Sequence, residues 1–223
     1  MTDIIQVDFP KNQYVQEVTE KRQIVLHHTA SGPSVTGDIA WWESTSERVA
    51  THYLIDREGL VYQLFNEKFW GYHLGLSNKD FSLLGLPYKQ LDKCSIGIEL
   101  DCWGPVVLHT DGKFYPAKWN GKSYAPNTSC KPVKYFHEYC QQNNWKGSIY
   151  WEKYTTRQLD SLEKLVKGIA SRHNIPMTYN NDIWNPCNRA LSGTPGLFSH
   201  CSYRKDKSDV HPQPELINLL KSL

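Results

Sequence analysis

The chain is built around Ile24-Val25-Leu26-His27-His28-Thr29-Ala30. Three aliphatic residues run directly into two histidines. A short run that is apolar at every position reads as a strand buried on both faces, here ending in side chains able to bind a metal or move a proton. A strand end suits such a group, because the flanking ladders fix its backbone. Successive side chains alternate between faces, so only one of the two histidines can face a given site.

Outward from that strand, residues 1–22 are mixed and polar and read as an N-terminal arm or a first edge strand. Thr36–Ser46 reads as a helix with Ile39 and Trp42 on one face. Thr51–Asp56 alternates as a strand, Arg57-Glu58-Gly59 turns it, and Leu60–Phe65 returns as its hairpin partner. Ser95-Ile96-Gly97-Ile98-Glu99-Leu100 is a second buried strand with a carboxylate inside it. Residues 102–150 break the rhythm and read as a surface insertion with a small hairpin turning at Asp111-Gly112. A threonine cap opens a helix near Thr155, with Leu159, Leu162, Leu165, Val166 and Ile169 at helical spacing. Pro214 starts a last helix.

Composition narrows the function classes. The chain has 223 residues, 39% hydrophobic and 22% charged, in the range of an ordinary globular protein. The net charge of +2 comes without the dense Lys/Arg clustering of a nucleic-acid binder. The first residues lack the basic and apolar regions of a secretory signal, and no run is apolar enough to span a bilayer, so a cytoplasmic origin without stable membrane insertion is expected. Six cysteines form no Cys-x-x-Cys pair and are expected as reduced thiols. The 13 tyrosines and 8 tryptophans suit a surface that grips sugars or peptides, and equally a packed core.

Two places carry chemistry. Glu99 lies between Ile98 and Leu100, and an unpaired buried carboxylate costs several kcal/mol, so a metal site or an arginine must stand near it. The segment Ser199–His211 packs His200, Cys201, Asp206, Lys207, Asp209 and His211 together. Two histidines and an aspartate, with a fourth position open to water, form the pattern of a catalytic rather than a structural zinc site. His-Glu-x-x-His, the signature of one class of zinc peptidase, is absent.

Six motifs in one order carry a resemblance: Ile24–Ala30, Thr51–Gly59, Trp70–Gly75, Ser95–Leu100, Tyr154–Gln158 and the His200…Lys207-Ser208-Asp209 tail. Over residues 24–212 the chain resembles the zinc-dependent N-acetylmuramoyl-L-alanine amidases, the family of phage lysozyme-type amidases and peptidoglycan recognition proteins. The resemblance implies an α/β fold, a mixed central β-sheet flanked by α-helices, with residues 23–223 as the catalytic domain. It also implies Zn2+ held by His27, His200 and Asp209, with Glu99 and Lys207 catalytic. Cys201, Asp206 and His211 remain alternative ligands. His73, Trp70 and Arg57 are candidate substrate contacts, Trp103 and Trp184 weaker ones, and His52 is expected to be packed. The implied partner is peptidoglycan, cut between N-acetylmuramic acid and L-alanine by a monomer acting as a phage endolysin or a recycling enzyme. Two other readings are a recognition module that binds muropeptide without cutting it and a virion-associated structural protein.

Overall fold

The computed structural model describes residues 4–139 and 143–223. Its centre is a six-stranded sheet in the order β1-β4-β3-β5-β2-β11. These strands are β1 (Ile4–Gln6), β2 (Gln23–His28), β3 (Tyr53–Ile55), β4 (Val61–Gln63), β5 (Ser95–Leu100) and β11 (Gly196–Ser199). Strands β11, β2, β5 and β3 run parallel, β4 turns antiparallel to β3, and β1 lies parallel to β4 at the edge. The sheet is therefore mixed, as expected, and the polar N-terminal arm supplies its edge strand.

Period-2 alternation sorts the two faces. Tyr53 and Ile55 of β3 pack into the larger core, with Leu162, Val166 and Ile169 of helix α3 (Thr156–His173) and Leu216 and Leu220 of helix α5 (Pro214–Ser222). Leu54 points the other way and packs with Ile39 and Trp42 of helix α1 (Val35–Ser44), and with Phe9, Tyr14 and Phe65. Helix α3 is the long helix expected from spacing. Thr155 and Gln158 cap it reciprocally, and Asn174 closes it in the left-handed conformation. Two short helices, α2 (Asn78–Ser82) and α4 (Asn188–Leu191), lie in the connections. No helix among the described residues is long and apolar enough to cross a membrane.

The insertion holds more than a hairpin. The hairpin at Asp111-Gly112 is present, joining β6 (Pro105–Leu108) to β7 (Phe114–Trp119). Around it stands a separate antiparallel sheet in the order β8-β7-β6-β10-β9, completed by β8 (Tyr124–Pro126), β9 (Phe136–Glu138) and β10 (Tyr150–Glu152). Apart from β7, which a proline interrupts, these strands have three or four residues, too few for alternation to be read from sequence. Arg57, in the β3–β4 turn, staples the two sheets. Its guanidinium donates to both carboxylate oxygens of Glu152, at 3.1 and 2.8 Å, and pairs with Asp101.

The five described cysteines, Cys94, Cys102, Cys130, Cys187 and Cys201, are free thiols. Cys140 lies outside the described residues.

Candidate functional site

Parallel α/β sheets place their sites at the carboxyl ends of the strands. Here β11, β2 and β5 end side by side. His27 of β2 is the register partner of Glu99 of β5, which in turn pairs with Leu54. His27 and Glu99 therefore emerge on the face that carries α1. His200 follows directly after β11, and the loop beyond it returns Asp209 to the same place. A cavity of about 560 Å3 opens there, lined by His27, Glu99, His200, Lys207 and Asp209, with Asp38, Trp41 and Trp42 of α1 as its far wall.

Three donor atoms converge at its floor. His27 Nδ1 lies 3.0 Å from His200 Nδ1 and 3.2 Å from Asp209 Oδ2, and His200 Nδ1 lies 2.9 Å from the same oxygen. These separations are close to the edge of a tetrahedron with bonds of about 2 Å to a central ion. All three residues are buried.

The opposite ring nitrogens are occupied in a way that leaves the Nδ1 lone pairs free. His200 Nε2 donates to the Leu74 carbonyl at 3.0 Å. His27 Nε2 donates to His73 Nδ1 at 2.9 Å, and His73 Nε2 donates to Ser95 Oγ at 2.9 Å. Asp92 Oδ1 braces both orienting groups by accepting the backbone N–H of His73 and of Leu74, each at 2.9 Å. Gly97 leaves room for this layer, since a Cβ there would come 3.0 Å from His73 Nδ1.

Electrostatics agrees with the geometry. Burial, followed by the neighbouring His200, lowers the His27 pKa to about 4, so its imidazole is neutral and able to ligate. Burial pushes Asp209 up, but His200 and His27 outweigh it and hold the carboxyl well below its ordinary range. Burial, then the charges of Asp209 and Asp38, raise Glu99 well above its ordinary range, with Lys207 opposing. Glu99 Oε2 is buried without a hydrogen-bond partner among the described residues. A carboxyl that must take a proton and give it back needs this kind of upward shift. Two imidazole nitrogens, one ionised carboxylate and an unpartnered glutamate fit a divalent cation with a base beside it.

The chain matches the family model described as N-acetylmuramoyl-L-alanine amidase over residues 17–212. It belongs to that family. Membership carries the reaction class: hydrolysis of the amide between N-acetylmuramic acid and L-alanine in bacterial peptidoglycan. Among solved structures, a mutant endolysin from Bacillus subtilis is similar in fold at TM-score 0.55 and 16% identity, with 100% of this chain and 98% of that one covered. PlyL is similar at TM-score 0.54 and 11% identity, covering 99% and 98%. The catalytic domain of XlyA is similar at 0.53 and 14%, covering 99% and 98%. No curated protein matches the chain.

Not every candidate from the sequence reaches the cavity. His73 lines it, but its ring is spent on orienting His27 rather than left for substrate. Trp70 is buried outside the cavity lining, its indole N–H donating to Glu17. Arg57 is committed to the inter-sheet staple and borders a different groove. The alternative ligands do not join the three donors: Cys201 Sγ donates to the Lys207 carbonyl at 3.2 Å, Asp206 lines the cavity but pairs with Arg204, and the His211 ring is buried against Tyr154, 4.4 Å away. His52 is packed, as expected, donating to the Phe69 carbonyl and accepting from the Gly97 N–H. Trp184 is buried, and the Trp103 ring covers Gly32.

Sequence reasoning missed the α1 wall. Its signal was the tandem Trp41-Trp42. Ile39 and Trp42 set the buried face, and Trp41, two residues after Ile39, turns to the far side of the helix from it. Trp42 is buried and Trp41 is 54% exposed at the cavity rim.

Proposed function

We propose that the chain is a zinc-dependent amidase in which His27, His200 and Asp209 hold the ion, Glu99 carries the proton and Lys207 faces the developing negative charge. The observation that supports this reading most is the meeting of three donor atoms within 3.2 Å of one another, beside an unpartnered glutamate oxygen.

Zinc, when bound, supplies a Lewis acid that lowers the pKa of water to about 7 and polarises an amide carbonyl. Glu99 removes a proton from the attacking water as its oxygen bonds to the lactyl carbonyl carbon. The same carboxyl then passes that proton to the alanine nitrogen as the C–N bond breaks. The products are a carboxylate on the muramic acid and a free L-alanine amino terminus. The Lys207 ammonium lines the cavity and stabilises the oxyanion between the two steps. His73, Ser95 and Asp92 hold the His27 ring, and the Leu74 carbonyl holds His200, so neither ligand reorients during the cycle.

In this reading the protein works as a monomer and reaches the wall from the cytoplasm as an endolysin. The test is metal content and release of L-alanine amino termini from purified walls, for wild type beside His27→Ala and Glu99→Gln. His27→Ala loses zinc and activity together. Glu99→Gln keeps zinc and loses activity. A Glu99→Gln protein that digests walls at the wild-type rate removes Glu99 from the mechanism.

A further inference from the structure

The second sheet has no part in the chemistry above, yet it carries its own groove. The groove is about 570 Å3 and is lined by Leu108, Trp119, Tyr124, Lys146 and Tyr150 among others. Three of these are apolar side chains left in solvent: Trp119 is 57% exposed, Tyr124 47% and Leu108 49%. Trp119 and Tyr124 are register partners on β7 and β8, and their rings meet edge to face at 5.3 Å. A joined pair of exposed aromatic faces is costly to leave in water and marks a contact surface.

Charge points to the kind of ligand. Residues 103–150 hold six lysines against two acidic residues, a local excess of +4 in a chain whose total is only +2. Lys146 lines the groove itself and Lys122 lies in the turn between the two aromatic strands, while Lys118, next to Trp119 on β7, points to the opposite face. Aromatic faces beside ammonium groups suit a ligand made of sugar rings that bears carboxylates.

Position joins the groove to the catalytic cavity. The Trp145 indole donates to the Ser208 carbonyl at 3.0 Å, and Lys146 Nζ donates to the Lys205 carbonyl at 3.3 Å. Ser208 lines the catalytic cavity and Lys146 lines the groove, so the two openings are bordered by loops that are hydrogen-bonded to each other. A polymer whose cut bond lies at Glu99 can therefore continue onto the second sheet.

We infer that the Trp119–Tyr124 groove is a binding subsite for the uncut peptidoglycan polymer, its sugar rings stacking on the two aromatics and its stem-peptide carboxylates meeting the lysines. This rests on the reading of the catalytic cavity as an amidase.

The experiment uses the full chain and two readouts. One is hydrolysis of a soluble monomeric muropeptide. The other is co-sedimentation with purified sacculi stripped of covalently attached phosphodiester polymers, in a Glu99→Gln background that does not cut them. Trp119→Ala/Tyr124→Ala is expected to leave muropeptide hydrolysis within about twofold and to weaken sacculus binding about tenfold, as for loss of one good aromatic contact. Lys122→Glu, an exposed charge reversal that no packing depends on, is expected to weaken sacculus binding several-fold. Unchanged sedimentation of both variants overturns the inference. So does a loss seen only on walls that keep their phosphodiester polymers, which would make that polymer the ligand. If wild type fails to cut the muropeptide, the amidase reading falls, while sedimentation still decides the groove.

Discussion

The two sheets of this molecule are built on opposite terms. The central sheet is buried on both faces, and every side chain of β2 is out of solvent. It therefore fixes the His27 side chain and the end of β11 from which His200 follows. The second sheet is antiparallel, made of short strands, and leaves Leu108, Trp119, Tyr124 and Tyr135 exposed. Rigidity belongs where bonds are broken. An adaptable, sticky surface belongs where a polymer is gripped.

The contrast breaks most sharply at activity. Glu99→Gln is expected to lower hydrolysis of a soluble muropeptide by about 10^2- to 10^4-fold, the usual worth of an acid–base group, measured as release of amino termini. Loss of the same size from Trp119→Ala would put the second sheet inside the catalytic machinery and erase the distinction.

Stability comes next. Leu162→Ala, fully buried under the central sheet, is expected to cost about 2–5 kcal/mol in urea unfolding. Leu108→Ala on the second sheet is expected to cost under about 0.5 kcal/mol, because its side chain is half in solvent. Equal costs would mean that the second sheet has a core of its own.

The joint between the sheets follows. Arg57→Ala leaves the buried Asp101 and the half-buried Glu152 without their cation, and is expected to cost about 2–4 kcal/mol, reduced where Glu152 meets solvent. Far-UV and aromatic-region circular dichroism during unfolding would show whether the two sheets then separate in temperature.

Acid sensitivity comes last and centres on Glu67, which is held between β3 and α3. Burial raises its carboxyl, but bonds from Arg172 at 2.5 Å, Tyr53 at 2.6 Å and His173 at 2.7 Å win and lower its pKa to about 2. A depressed folded-state value gives stability that is full above the unfolded value, near 4.5, and is lost as pH falls from there toward 2. Glu67→Gln is expected to remove on the order of 1 kcal/mol at neutral pH, after solvent screening, and to flatten the acid limb of a melting-temperature profile between those values.

How much of this was legible in sequence follows from the same contrast. Buried strands announce themselves, so Ile24–His28 and Ser95–Leu100 could be read directly, together with the odd carboxylate at Glu99. Helix α3 could be read from its cap and its 3.6-residue stripe. The convergence of His27 with His200 and Asp209 could not follow from spacing, because 173 residues separate the two histidines and only strand pairing brings them together. It came from motif order instead. Trp70 and Arg57 looked like ligand contacts because exposed aromatics and cations often are. Their partners, Glu17, Glu152 and Asp101, lie too far along the chain to be paired with them by eye. Asp92 gave no signal at all, since its work is done on the backbone N–H groups of two residues in another loop.

The central claim is one zinc ion between His27, His200 and Asp209, and its most direct test is a back-titration. Chelated wild-type protein is given zinc in fractional equivalents while free L-alanine amino termini released from purified walls are counted. The account predicts no release without metal and a linear recovery that breaks sharply at one equivalent. Full release from the chelated protein, or a break at two equivalents, would contradict it.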